Sequence, residues 1–303
     1  MIEILLATYN GEKYLREQID SLLNQTYEDF RIIVRDDGSD DGTIDIIKDY
    51  VSQYPHKVVF IEDAVKCGNP ASNFMQLIQY ATGDYIMFCD QDDVWFPTKL
   101  AAMMEEMERQ EADKGVPVLV YGDYIIVDEN LNRISQQGKS QIHNKKLDLA
   151  HLLVQNYVTG CCIMVNGALY RQIGQYSNDI LMHDWWIAIY AIAFGKIEHL
   201  QAELMLYRQH SGQSVGARNI RSVSYIWAKL RSGDSKDSMA QYVRQAKFFL
   251  AQYGEAICKK NKKLLEAFID IPQQGKIKKI FTLCKYRFFK NTVPRALGQL
   301  WYI

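Results

Sequence analysis

Three carboxylates stand within four residues at Asp90-Gln91-Asp92-Asp93, directly after the apolar run Tyr85-Ile-Met-Phe-Cys89. Crowded carboxylates repel one another, and at the end of a buried strand they also lose hydration. A divalent cation compensates both penalties. Oxygen ligands favour Mg2+ or Mn2+ over softer metals, and such a cation keeps positions free for substrate phosphates. A diphosphate leaving group fits that role. The bland alternative is a solvated acidic turn, the usual fate of this pattern in isolation. The buried strand before it favours the cation.

Other groups fit the same chemistry. Asp36-Asp37 follows Ile32-Ile33-Val34 and can accept hydrogen bonds from a ribose hydroxyl or a base N–H. Gly38-Ser39 and Gly42-Thr43 equally suit a capping turn there, with Asp41 or Thr43 as the cap. Asp184, between His183 and Trp185-Trp186, lies beside apolar surface that raises a carboxylate toward the range of a general base. A helix N-cap with core tryptophans is its structural alternative. At Tyr207-Arg208-Gln209-His210, Arg208 suits a bidentate phosphate contact and His210 a metal. A lone histidine is more often structural.

These residues need a frame that brings them together. Over the first ~100 residues strand and helix signals alternate. Strands are predicted at Ile2–Ala7, Phe30–Val34, Val58–Ile61 and Tyr85–Cys89, with amphipathic helices between them. Such alternation implies an α/β fold with a mostly parallel central sheet flanked by helices. Right-handed crossovers put the strand-to-helix loops on one edge, where ligands bind. Thr8-Tyr9-Asn10, Arg35-Asp36-Asp37 and Asp90-Gln-Asp-Asp93 would meet there. Beyond Pro97, a helix through Met107, a strand Val118–Val127, a helix from His183 to Phe194 and a strand Leu204–His210 are expected. From Arg221 onward the chain reads as helical and less globular.

Composition sets outer bounds. With 303 residues, 48% hydrophobic and 23% charged, the chain has the balance of a soluble globular protein. Its formal net charge of -1 argues against a nucleic-acid partner. No signal peptide and no apolar span of ~18 residues is visible, which suggests a cytoplasmic location. The six cysteines lack paired spacing and read as thiols of a reducing compartment, not as a zinc site.

Ala7-Thr-Tyr-Asn-Gly11, Arg35-Asp-Asp-Gly-Ser39 and Asp90-Gln-Asp-Asp-Val-Trp95, in this order and at these intervals, resemble the motifs of inverting family-two glycosyltransferases with the GT-A fold. The resemblance spans about residues 1–215. His183-Asp-Trp-Trp186 and Tyr207-Arg-Gln-His210 look most like bacterial rhamnosyltransferases of polysaccharide and O-antigen synthesis. The resemblance implies a Rossmann-like catalytic domain over 1–217, with a nucleotide-binding half at 1–100 and an acceptor-binding half at 101–217. A helical basic extension would cover 218–303. It implies that Thr8, Tyr9 and Asp37 contact the nucleotide, with Asn10 and Asp36 close by and Arg208 on the donor. Asp90 would lie near ribose or metal, Asp92 and Asp93 at the cation and diphosphate, and His210 at the metal. Asp184 would be the base that inverts the anomeric centre, and Trp185 and Trp186 would shape the acceptor site. The donor would be a nucleotide-diphosphate sugar, dTDP-rhamnose being favoured, and the acceptor a glycan or lipid-linked saccharide. The loop Ser211-Gly-Gln-Ser214 lacks an Asn that related sequences often carry after the His. With Gly212 and Gly216 it is expected to close over the donor.

After Asp270 no acidic residue occurs, while Lys276, Lys278, Lys279, Lys285, Arg287, Lys290 and Arg295 alternate with apolar residues. This tail suits peripheral contact with an anionic membrane, or a helix packed on the catalytic domain. Two rivals to a transferase remain at this stage. A nucleotidyltransferase would need a glycine-rich basic phosphate loop, and Ala7-Thr-Tyr-Asn-Gly-Glu-Lys13 makes a poor one. A non-catalytic carbohydrate-binding protein would not need the acidic set.

Overall fold

The computed structural model describes residues 1–112, 115–135, 147–210, 234–290, 296 and 299. The loop at 211–216 and the expected boundary at 217 lie outside them. The first half runs β1 (Ile2–Thr8), α1 (Leu15–Leu23), β2 (Phe30–Asp36), α2 (Thr43–Gln53), β3 (Val58–Ile61), α3 (Pro70–Ile78) and β4 (Tyr85–Cys89). Then follow β5 (Val94–Trp95), α4 (Lys99–Gln110), β6 (Val118–Val127), β7 (Arg133–Ser135), α5 (Leu149–Leu152), β8 (Ile163–Asn166), α6 (Gly167–Tyr170), α7 (His183–Phe194) and β9 (Lys196–Arg208). Three helices close the described chain: α8 (Asp234–Tyr253), α9 (Lys259–Ile269) and α10 (Lys276–Tyr286).

One sheet holds the molecule, in the order β3-β2-β1-β4-β8-β6-β9-β5, with β7 beside β6. It is mixed. The four N-terminal strands are mutually parallel, and β6 is parallel to β9. β8 runs antiparallel between β4 and β6, and β5 pairs antiparallel with β9. The parallel strands read as continuous apolar runs because both faces are covered. In β1, Ile2, Ile4 and Leu6 join a core beneath α1, α2 and α4, whereas Leu5 faces a second core with α3 and α7. Glu3 interrupts the apolar run yet is fully buried. Its carboxylate accepts N–H bonds from Thr82 at 2.7 Å and Gly83 at 2.9 Å, and pairs with Arg31.

Two regions differ from the sequence reading. β9 begins at Lys196, well before Leu204, because the alternating stretch Lys-Ile-Glu-His-Leu-Gln-Ala-Glu pairs with β6 from Val118 onward. The C-terminal helices are not less globular. Phe249 of α8, Leu265 and Phe268 of α9, and Leu283 of α10 are fully buried in the same core as α7.

Register aligns the site. Leu6 of β1 pairs with Cys89 of β4, and Thr8 with Asp36 of β2. The loops after these three adjacent strands therefore leave one edge side by side. β5 then folds back onto β9, Val94 opposite Leu206, which brings Tyr207–His210 against the acidic loop.

Candidate active site

The first loops of the edge are latched to one another. Thr8 Oγ1 donates to Asp36 Oδ2 at 2.8 Å, and Asp36 Oδ1 accepts the Gly38 and Ser39 N–H groups. Asp36 thus builds the turn that Gly38, at φ +91°, completes in a conformation natural to glycine. Asn10 Oδ1 accepts the Asp40 N–H at 3.0 Å. Asp37 accepts the Cys67 N–H at 2.6 Å and the Gly68 N–H at 2.7 Å, so it ties down the loop before α3. Buried Arg35 reinforces that loop through Asp63 and Asn73. Among these nucleotide candidates Tyr9 projects into solvent, 56% exposed. Its backbone is clamped by the Gln91 side chain, whose Oε1 and Nε2 bond Tyr9 N–H and C=O at 2.8 and 2.9 Å.

The acidic loop splits its carboxylates between two sides. His210 Nε2 lies 2.7 Å from Asp92 Oδ2, and its ring rests on Tyr14. Asp93 is fully buried. Its Oδ1 accepts the Arg208 backbone N–H at 3.0 Å, and its Oδ2 has no hydrogen-bond partner. Asp90, Asp93 and the Cys161 thiol bring one donor atom each within 4.8 Å of one another. The expected metal set Asp92, Asp93 and His210 is therefore arranged differently: Asp93 clusters with Asp90, and Asp92 pairs with His210. Burial pushes the Asp90 carboxyl up to about 7, helped by the charges of Asp92 and Asp184. Burial, with the charges of Asp92 and Asp90, drives Asp93 well above the ordinary range. An orphaned, buried carboxylate oxygen beside a second carboxyl is what a hard divalent cation would satisfy, so Asp90 and Asp93 fit Mg2+ or Mn2+, and the soft Cys161 thiol adds nothing to that preference.

Beneath the cluster lies a cation that the sequence does not advertise. Lys99 is fully buried at the start of α4. Its Nζ donates to the Cys161 carbonyl at 2.6 Å and sits 3.4 Å from the Trp95 ring centroid. Its charge opposes the rise of Asp90. Lysine before an amphipathic Leu-Ala-Ala-Met-Met stretch reads as a solvated helix start. The Gly160–Cys162 turn, the Trp95 ring and Met205 of β9 together bury the ammonium.

Arg208 departs from expectation. It is 2% exposed, and each guanidinium nitrogen has a protein partner. Nε donates to Asp92 O at 2.7 Å, Nη1 to Glu129 O at 2.6 Å, and Nη2 pairs with Glu17 of α1. The side chain braces the acidic loop and is not presented to a phosphate. Trp185 and Trp186 are corrected likewise, at 7% and 1% exposed. Trp185 Nε1 donates to the Leu152 carbonyl and its ring meets Tyr242 edge-on; Trp186 packs on Phe248, Phe249 and Tyr253 of α8. The C-terminal helices claim the aromatic faces that the sequence reading gave to an acceptor.

Asp184 occupies the first turn of α7, with Met182 as the N-cap. Its Oδ1 accepts the Trp185 N–H at 2.6 Å and its Oδ2 the Gly160 N–H at 3.1 Å. Burial raises it to about 6, against these bonds and one from Asn156. Neighbouring His183 is held between Phe74 and Phe88, and neither ring nitrogen has a partner. Gly160 is required here, since a Cβ would come within 2.8 Å of His183 Nε2. Sequence reasoning missed Gln91, Lys99, Gly160 and Arg35, because each acts through a contact remote in the chain.

Comparison with known proteins agrees with this geometry. The profile of Glycosyl transferase family 2 matches residues 3–174. A dTDP-rhamnosyl transferase, RfbG, of Shigella flexneri is 26% identical over 225 residues, 70% of this chain and 74% of that protein. An uncharacterized glycosyltransferase of a Nostoc species is 32% identical over 220 residues, 70% of this chain and 66% of that protein. Among solved structures, S. aureus TarS 1-349 in complex with UDP-GlcNAc superposes with TM-score 0.60 at 16% identity, covering 94% of this chain and 80% of TarS. A mannosyltransferase of Pyrobaculum calidifontis in complex with GDP-Man and Mn2+ gives TM-score 0.53 at 14% identity, covering 99% and 87%. The match over more than half of the chain, on a sheet whose edge gathers the expected carboxylates, shows that this protein belongs to glycosyl transferase family 2 and is a glycosyltransferase with the GT-A fold.

Proposed function

We propose that the protein transfers a hexose, L-rhamnose from dTDP-rhamnose being the favoured case, to a glycan or lipid-linked acceptor in cell-surface polysaccharide synthesis, with inversion. The observation that carries the reading is the Asp184 carboxylate. It is buried, aimed by two backbone N–H groups, raised to about 6, and close enough to raise Asp90 in turn. That suits a base which is ionised at neutral pH yet still takes a proton. Asp184 accepts the proton of an acceptor hydroxyl. The oxygen attacks the anomeric carbon from the face opposite the diphosphate, and the bond from that carbon to the diphosphate oxygen breaks. Asp90 and Asp93, with Asp92 beside them, would hold a divalent cation, which when bound supplies positive charge for the departing diphosphate. Thr8, Asp36 and Asp37 keep the nucleotide side of the edge in shape, and Tyr9 offers its ring to the base.

The rhamnose assignment rests on likeness to the Shigella transferase. The UDP-GlcNAc bound by TarS makes a uridine donor the natural competitor. Donor hydrolysis across a panel of nucleotide sugars, with and without Mn2+, decides between them. Metal-dependent release of dTDP from the rhamnose donor alone is the expected result. Release only from a uridine-diphosphate sugar would overturn the donor and leave the chemistry. Donor binding with no turnover by parent or Asp184→Asn, even with acceptor saccharides supplied, would point to a carbohydrate-binding protein.

A further inference from the structure

α10 has two apolar faces, and the protein uses one. Thr282 and Leu283 are buried against the rest of the fold. Ile277 and Phe281 point the opposite way, 87% and 65% exposed, and Cys284 is exposed beside them. Spacings of four and three residues stack these three side chains into one ridge. At 100° per residue, Lys278 and Lys285 flank the ridge on one side and Lys276 on the other, and all three are exposed.

The charge around the ridge is lopsided. Residues 259–290 carry ten Lys or Arg against Glu266 and Asp270, although the whole chain has a formal net charge of -1. Among the described residues no helix is long and apolar enough to cross a membrane. The apolar ridge is convex, and cations border it on both sides. A flat interface of apolar interior and anionic surface matches that shape: the ridge enters the acyl boundary while lysine stems lie along it with their ammonium groups outward. A partner protein would need a groove to receive the ridge and a matching acidic rim on either side. A bilayer supplies both without further design.

We propose that α10 is a membrane-docking face, seating the enzyme on a surface rich in anionic lipid through Ile277, Phe281 and Cys284 between flanking lysines. The proposal does not depend on the donor or acceptor assigned above.

Cosedimentation of the full-length chain with vesicles tests it. Vesicles of phosphatidylcholine and phosphatidylglycerol in equal parts should retain the protein, those of phosphatidylcholine alone should not, and added salt should release it. The double variant Ile277→Ser/Phe281→Ser should lose about tenfold or more in partition. Lys278→Gln and Lys285→Gln should each cost roughly fivefold. All four positions are exposed and outside the catalytic machinery, so melting temperature and donor hydrolysis in solution should stay at parental values. No retention of the parent on anionic vesicles overturns the proposal, as does equal retention of the serine variant. If the parent is a dimer that the serine pair makes monomeric while vesicle partition is unchanged, the ridge is a self-contact instead. Parental capture by an acidic protein, with no vesicle binding, also sinks it.

Discussion

His183 and Asp184 are adjacent, buried and shifted in opposite directions. Asp184 is lifted by burial to about 6, so its ionised, proton-accepting form grows as pH rises through that value. The kcat/KM of transfer should climb with pH around 6 and level off above it. Asp184→Asn should lower kcat by about 10³ or more while donor affinity stays within about twofold. His183 has the reverse sign. Burial lowers it to about 3, so the unfolded chain binds the extra proton between there and its ordinary value near 6.5. Its contribution to stability is complete above 6.5 and is lost as pH falls. Compared by denaturant titration at pH 7.5 and pH 5, His183→Leu should gain about 2 kcal/mol on its parent at the lower pH. The opposed shift of Asp184 remains in both proteins and cancels from that difference. Gly160→Ala should cost about 1–3 kcal/mol, because the imidazole it would strike is boxed by two phenylalanines. Asp184 was legible in the sequence as a carboxylate opening an apolar helix. Gly160 was not, since nothing local to it marks a helix terminus 23 residues away.

Elements decide which polar side chains face a ligand. The apolar runs of β1, β2 and β4 announced the parallel half of the sheet, and with it the edge that gathers Thr8, Asp36 and Asp90. The antiparallel half was harder to read. β5 has two residues, and β8 lies in a stretch no different from a buried turn. Yet the β5–β9 pairing is what turns Arg208 inward, where it bridges Asp92 O, Glu129 O and Glu17. A lysine has neither the fork nor the reach for three partners. Arg208→Lys should lower the melting temperature and weaken Mn2+ dependence together, whereas a phosphate-binding arginine would raise the donor KM at unchanged stability. Trp186 makes a parallel case. An indole in Trp-Trp before an apolar helix suits a sugar platform or a core, and Phe248, Phe249 and Tyr253 of α8, remote in the chain, decide for the core. Trp186→Ala should cost about 3–5 kcal/mol in a denaturant titration, before any effect on acceptor KM is seen.

At the scale of the whole molecule, α8 to α10, which the sequence reads as helical and less globular, put Phe249, Leu265, Phe268 and Leu283 into the same core as α7. Strong apolar periodicity made the N-terminal half readable, while the burial of α8 depends on Trp186 of α7, remote in the chain. The acidic edge of this assembly is incomplete by itself, with an orphaned oxygen on Asp93. Saturating Mn2+ should therefore raise stability, by about 2.7 kcal/mol at a hundredfold excess over Kd, and Asp93→Asn should abolish that gain. The pairing of Val94 with Leu206 also has a bearing on biosynthesis. A chain emerging from the ribosome can zip β1 to β4 early, since those contacts are comparatively close in sequence. Asp92 and Asp93 gain His210 and Arg208 only after more than a hundred further residues have been made. Until then a nascent chain carries the acidic loop without the Arg208 brace and the His210 partner that hold it in the finished fold.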